Sequence, residues 1–171
     1  GPLPSSIVNL TLLLDLFLSN NRLTGALFDI TQLQELRLLF LGNNRMGGAI
    51  PADFGALGRL EYLDLYNNSF SGPLELPNVP DLEHVDVSEN DFSGTLPVNI
   101  STSVGVINVA GNRFDGTIPS SYGAYAVLHS VNVSDTLIGK QVLVLVKHLC
   151  HCHTTSWWLI CFVFMCRWLD P

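Results

Sequence analysis

The sequence predicts a solenoid of parallel β-strands, and three periodic features lead to this prediction. Equivalent glycines recur every 22 to 24 residues through the first 139 of the 171 residues. Within each period, apolar residues two positions apart mark a short strand whose alternate side chains point inward. An asparagine stands three residues after the second of these strand positions in five of the six copies. Self-similarity at a period of this length is typical of stacked repeats.

The segment from Gly48 to Gly72 is the most regular copy. Its leucines are spaced three, three and two residues apart, so a turn-like segment leads into a short strand. One such unit is too small to bury its own leucines, whereas a stack shares them between neighbours, at roughly 1.5–3 kcal/mol for each buried side chain. The predicted repeats occupy residues 1–139 and begin at Gly1, Gly25, Gly48, Gly72, Gly94 and Gly116.

The recurring asparagines are expected to be structural. An amide at a strand end can bond backbone groups of the adjoining loops with both its oxygen and its nitrogen. Loss of one amide should therefore cost about 1–3 kcal/mol. The series comprises Asn21, Asn44, Asn68, Asn90 and Asn112, and Thr136 takes its place in the sixth copy.

The pattern LxxLxLxxNxLxGxIP resembles the leucine-rich repeat, and its Gly-x-Ile-Pro ending resembles the plant-type subfamily. That ending is intact at residues 1–4, 48–51, 94–97 and 116–119, and it is weakened at 25–28 and 72–75. The resemblance implies an α/β solenoid in the form of a curved right-handed superhelix. It further implies a concave parallel β-sheet of about six short strands, with short helical or 3-10 turns on the convex side.

The strand residues that flank the inward positions are free to carry recognition, because they point out of the concave face. Here aromatic residues would supply apolar contact and carboxylates would favour a basic peptide or protein partner, while the alternative is that the carboxylates only solvate an open sheet. The paired arginines that some peptide receptors of the family use are absent. The candidate ligand-binding residues are Phe17, Phe40, Glu61, Tyr62, Asp64, Tyr66, Glu83, His84 and Asp86.

Nothing in the sequence indicates catalysis. Asp64 and Asp86 are expected to be solvated carboxylates on an open ladder, with nothing nearby to desolvate one of them and raise its pKa. The glycines around residues 42–48 lack the lysine of a phosphate loop, and kinase motifs are missing. The formal charge of −7 argues against a nucleic-acid partner, and neither a cofactor nor a metal is expected.

Four N-x-Ser/Thr sequons, together with the plant-type resemblance, favour an extracellular or cell-surface location. The sequons begin at Asn9, Asn67, Asn99 and Asn132, and a sugar at the last would lie on the concave sheet. The chain begins inside a repeat, without a methionine or a cysteine-bearing cap, so it is expected to be a fragment of a larger protein. A membrane association would then come from that parent protein.

Residues 140–171 break the pattern, because this tail carries all four cysteines, a net charge of +2 and no period. The favoured interpretation is translated non-coding sequence, such as a retained intron. A membrane segment at 157–169 is the main alternative, although 13 residues at about 1.5 Å each span only roughly 20 Å of a core about 30 Å thick. A zinc site at 150–153 or a pairing of Cys161 with Cys166 are weaker alternatives.

The sequence thus predicts peptide or protein recognition by an extracellular repeat array, as part of a receptor-like protein or receptor-like kinase that could also engage a co-receptor. Two alternatives remain open at this stage. One is a secreted cell-wall inhibitor of a hydrolase, as some plant-type arrays are. The other is a truncated gene product without independent function.

Overall fold

A computed structural model describes residues 1–76 and 79–138 of the chain. The tail at 140–171 and the interpretations attached to it lie outside the described residues. The division of the chain at residue 139 therefore remains a prediction.

A six-stranded parallel sheet contains one short strand from each copy. Each strand has three residues, of which the central one points inward and the other two point outward. In the first five copies the central residue is buried, and the outer two are half-buried or exposed. The strands follow one another in chain order across the sheet. They are β1 (Asp15–Phe17), β3 (Leu38–Phe40), β5 (Tyr62–Asp64), β7 (His84–Asp86), β9 (Val106–Asn108) and β11 (Ser130–Asn132).

The core repeats with the sequence. In the third copy Leu57, Leu60, Leu63 and Leu65 are all fully buried, and the equivalent apolar residues of the second and fourth copies are buried in the same way. In the sixth copy Val131 is only partly buried, and among the described residues its strand pairs with β9 alone. Burial at a given position therefore depends on the adjoining copies, as expected for a solenoid.

A second parallel sheet, which the sequence analysis did not anticipate, runs along the turns that follow the first sheet. It has five strands in the order β10-β8-β6-β4-β2. Each of its aromatic residues is buried while the residue before it faces outward, an alternation such as that of Ser69 and Phe70. The strands are β2 (Thr24–Gly25), β4 (Arg45–Gly48), β6 (Ser69–Gly72), β8 (Asp91–Thr95) and β10 (Arg113–Asp115).

The periodic glycines lie at the last or next-to-last position of a second-sheet strand, or directly after it. Five of them have φ between 78° and 85°, a left-handed conformation that residues with a Cβ rarely adopt. This backbone requirement explains why glycine recurs at the period of the repeat.

Short 3-10 helices follow three of the four intact Gly-x-Ile/Leu-Pro endings. They span Ser5–Asn9, Ala52–Ala56 and Ser120–Ala124. Proline precedes each helix with φ between −65° and −56°, and its carbonyl accepts a hydrogen bond from the N–H of the third helical residue. The predicted helical or 3-10 turns and the parallel sheet of six short strands are thereby confirmed.

The asparagine ladder comprises Asn21, Asn44, Asn68, Asn90 and Asn112, and the side chains of its last four members join successive copies. In Asn90, the side-chain oxygen accepts from the Phe70 N–H at 2.9 Å, and the amide nitrogen donates to the Leu65 carbonyl at 2.9 Å and the Val87 carbonyl at 3.1 Å. Asn44, Asn68 and Asn112 make the equivalent bonds. Asn21, in the first copy, is exposed and donates only to carbonyls of its own turn.

Candidate functional site

The outward face of the six-stranded sheet has a central row that changes character along the array. Register pairing places each member directly beside its equivalents in the neighbouring copies. The row begins with two aromatic residues, continues with two carboxylates and ends with two amides. Its members in order are Phe17, Phe40, Asp64, Asp86, Asn108 and Asn132.

Two pairs of rings stack across neighbouring strands. The rings of Phe17 and Phe40 lie 5.1 Å apart, and 62% of Phe17 is exposed. The rings of Tyr62 and His84 lie 5.5 Å apart at an interplanar angle of 17°. Tyr66 is also exposed, on the side of Asp64 that leads into the turn. The structure thus brings these five predicted residues together on one face, with their rings open to solvent or partly so.

Arg37 neutralises one of the predicted acidic residues. Its Nε and Nη2 atoms donate to the two carboxylate oxygens of Glu61 at 2.8 and 2.9 Å. This bidentate pairing lowers the pKa of Glu61. Arg37 is the only lysine or arginine among the outward positions of the six strands and their flanking residues. Glu61 is therefore less available to a basic partner than the sequence analysis assumed, whereas Glu83 on the next copy is exposed.

Asp64 corrects the expectation of a fully solvated carboxylate. Its side chain is half-buried and lies over Gly42, where a Cβ would stand 2.8 Å from Oδ1 and 3.0 Å from Oδ2. Burial raises the pKa of Asp64, the hydrogen bond from the Tyr66 N–H opposes this rise, and the charge of Asp86 adds to it. The expectation was wrong because the space beside a strand depends on the neighbouring copy.

Asp86 has the same position one copy later but a different environment. Oδ1 accepts from the N–H and the hydroxyl of Ser88, and Oδ2 accepts from Nδ2 of Asn108 at 2.9 Å. Both carboxylate oxygens are thus bonded within the protein. The two carboxylates of the central row consequently differ in what they can offer to a ligand.

The Arg37–Glu61 pair had a recognisable signal in the sequence. The two residues carry opposite charges and stand 24 residues apart in the same column, so stacking brings them together. No comparable signal distinguished Asp64 from Asp86, because the difference comes from Gly42 on one side and from Ser88 and Asn108 on the other.

The four sequon asparagines lie in different settings. Asn9, Asn67 and Asn99 are exposed, while Asn132 is half-buried on β11 and accepts from the Ser134 N–H at 3.1 Å. Nδ2 of Asn67 donates to Oδ1 of Asn43 at 2.8 Å. Glycosylation at these positions remains a prediction.

Within residues 1–76 and 79–138, no helix is long and apolar enough to cross a membrane. The same described part of the chain contains no group of three or more His, Cys, Asp or Glu side chains arranged to hold a metal ion.

The setting of Asp64 makes stability depend on pH. Because folding raises its pKa, Asp64 contributes stability that is present below the unfolded pKa and lost as the pH rises through the folded pKa. Asp64→Asn keeps an oxygen that can accept from the Tyr66 N–H, as Asn108 accepts from the Ala110 N–H. We expect the stability of the native chain relative to this variant to fall between about pH 3 and pH 6, the range that brackets an ordinary aspartate.

Denaturant unfolding of both proteins across that range measures this difference. Asp86 and His84 are the titratable groups whose charges act on Asp64, and both are retained in the variant. A difference in stability that does not change with pH would contradict the assignment.

The structure is that of a repeat protein with an open face of aromatic and acidic residues. Its copies are stacked through two parallel sheets and a ladder of asparagines. Comparison with known proteins identifies the class further. The Leucine Rich Repeat family profile matches residues 59–78 and 81–103. A comparison with curated proteins gives no significant match.

Among solved structures, the ectodomain of the receptor kinase SOBIR1 from Arabidopsis thaliana is 31% identical with a TM-score of 0.65, and the match covers 71% of this chain and 69% of that one. The ectodomain of the membrane receptor kinase GASSHO1/SCHENGEN3 from the same plant was solved with CASPARIAN STRIP INTEGRITY FACTOR 2. It is 30% identical with a TM-score of 0.78, and the match covers 81% of this chain and 17% of that one. The Arabidopsis receptor kinase HAESA was solved with the peptide hormone IDA and the co-receptor SERK1. It is 32% identical with a TM-score of 0.57, and the match covers 81% of this chain and 28% of that one.

The chain belongs to the plant-type leucine-rich-repeat proteins. Its fold is a non-catalytic binding scaffold. It spans less than two thirds of the GASSHO1 and HAESA ectodomains.

Proposed function

We propose that this array recognises a peptide or protein ligand on the outward face of its six-stranded sheet, as the extracellular part of a receptor-like protein or kinase in signalling. The observation that supports this most directly is the concentration of open aromatic rings and carboxylates in the first four copies. In the first five copies, the strand residue between these outward positions is buried in the core.

The relatives support a peptide or protein as the ligand class. The GASSHO1/SCHENGEN3 and HAESA ectodomains were both solved with bound partners, and the second also with a co-receptor. By this analogy the chain is extracellular, and its contact with a membrane belongs to a longer parent protein. The ligand-binding residues are those of the two ring stacks and their acidic neighbours, with Arg37 holding Glu61 in place.

Tyr62 and Tyr66 are the best residues to test. Tyr66 is exposed, and its hydrogen bonds with Asp64, Asn68 and Asn43 use its backbone and not its phenol ring. Tyr62 stacks on His84 at the surface. Exposed aromatic residues amid polar groups commonly account for much of the binding energy of an interface.

The experiment uses peptides selected on the full chain from a displayed library of random sequences. Replacing both tyrosines with alanine is expected to weaken binding of a selected peptide at least about 30-fold, which corresponds to about 2 kcal/mol. The melting temperature should change little, because neither ring is part of the core. Isothermal titration and thermal unfolding measure the two quantities.

Tyr125→Ala is the matched control. Tyr125 is a partly exposed tyrosine that directly follows the third 3-10 helix, and its ring packs on that of Tyr122 within this helix. The substitution should leave peptide affinity unchanged. A library that yields no binder would overturn the proposed function. Binders whose affinity survives the double substitution would show that recognition uses a different surface.

A further inference from the structure

Asp64 is the carboxylate of the central row that the protein leaves incompletely bonded. In the described part of the chain, Oδ1 accepts from the Tyr66 N–H at 2.9 Å, and no hydrogen bond reaches Oδ2. Asp86, one copy later, has both oxygens occupied by Ser88 and Asn108. Of the two carboxylates at equivalent positions, only that of Asp64 has an oxygen that accepts no hydrogen bond within the described residues.

The neighbours of Asp64 position its carboxylate, and the residue is only half-buried. The absence of a side chain at Gly42 lets the carboxylate lie against the backbone of the preceding copy. Phe40 is its direct partner in the sheet register and stacks on Phe17. An apolar surface therefore adjoins Asp64 on the side of the preceding copy, and the exposed Tyr66, two residues further along the chain, donates its backbone N–H to Oδ1.

The net negative charge of the outward face favours a positively charged ligand group at Asp64. The outward positions of the six strands and their flanking residues carry five carboxylates and a single arginine, and that arginine is bound to Glu61. A cation bound at Asp64 would meet no free lysine or arginine side chain among these positions, although His84 on the next copy lies close enough for its charge to act on Asp64. The rings of Phe40, the register partner of Asp64, and of the exposed Tyr66 can add favourable contact with a cation and with its alkyl stem.

Resting on the function proposed above, we propose that Asp64 is a specificity subsite for a lysine or arginine side chain of an extended peptide. The ring pair of Phe17 and Phe40 binds an apolar side chain of the same peptide. Neighbouring strands are about 4.8 Å apart, so the middle of the ring pair lies about 7 Å from the strand of Asp64. Side chains two residues apart on an extended peptide are separated by about the same distance. The peptide therefore carries its basic residue two positions from its apolar residue.

The test begins with peptides selected on the full chain from a displayed random library. We expect selected peptides to share a lysine or arginine two positions from an apolar residue. Replacing that basic residue with methionine should weaken binding to the native chain about tenfold, the size typical of a hydrogen bond to a charged group. The same replacement should have little effect on binding to Asp64→Asn, so the two changes are not additive.

Asp115→Asn is the control for charge alone. It removes the same negative charge from an exposed position in the second sheet, and the roughly tenfold preference for the basic peptide should persist. Binders without a basic position, or a preference that Asp64→Asn retains, would overturn the subsite while leaving the proposed function standing. A library without binders would instead count against the proposed function itself.

Discussion

Replacing Phe92 with alanine is expected to lower the free energy of unfolding by about 3–5 kcal/mol. Phe92 is fully buried in the second sheet, and its ring lies between those of Phe70 at 6.2 Å and Phe114 at 6.1 Å. Truncation leaves a cavity between two copies that backbone hydrogen bonds hold in register, so the surrounding strands can close it only in part. Urea unfolding of the full chain measures the loss.

Two further substitutions isolate the cavity as the cause. Phe92→Leu keeps most of the volume and should cost less than about 1.5 kcal/mol. Phe17→Ala removes an equally large ring from an exposed stack, where at most the roughly 0.5–1.5 kcal/mol of an aromatic pair is lost. Equal losses for Phe92→Ala and Phe17→Ala would show that the stacked phenylalanines of the second sheet do not form a connected core.

Replacing Asn90 with alanine is expected to cost roughly 3 kcal/mol. The carbonyls of Leu65, Val87 and Ser88 each retain another donor after the change, in the side chain of a neighbouring ladder asparagine or in a backbone N–H. The N–H of Phe70 has its bond to Asn90 replaced by an apolar methyl group in a buried site. The largest part of the loss therefore comes from one unsatisfied donor.

Asn21→Ala is the matched control, because Asn21 is exposed and its amide donates only to carbonyls of its own turn. It should cost less than about 1 kcal/mol. Asn90→Asp keeps an acceptor for the Phe70 N–H but directs a second oxygen at three carbonyls, so its loss should match that of alanine. If Asn21→Ala and Asn90→Ala are equally destabilising, the contacts between copies do not account for the role of the ladder.

The array could be recognised from the sequence because its determinants are local and repeated. The alternation of Leu63 and Leu65 defines a strand that is buried on one side, and the proline of Gly48-Ala49-Ile50-Pro51 precedes a helical turn. Each feature is weak in one copy, but six copies in register reinforce one another. The second sheet was missed, because strands as short as β2 have little pattern of their own and depend on pairing with the next copy.

The candidate face was predicted as a set of positions but not as a set of environments. Phe17, Phe40, Tyr62 and His84 lie on the face where the strand alternation places them, and their stacking follows from identical register in neighbouring copies. The binding role of these residues remains a proposal. Glu61 was assigned to a basic ligand, yet in the structure it is bound to Arg37.

By itself the sequence determined the period, the strand positions, the asparagines that join the copies and the side chains that face outward. These properties follow from spacing within one repeat of 22 to 24 residues. Only the tertiary structure decided which of two equivalent carboxylates remains free. Asp64 lies over Gly42, whereas Asp86 is bonded to Ser88 and Asn108. The physical reason is that desolvation and hydrogen bonding depend on side chains contributed by other copies, which come into contact only when the repeats stack.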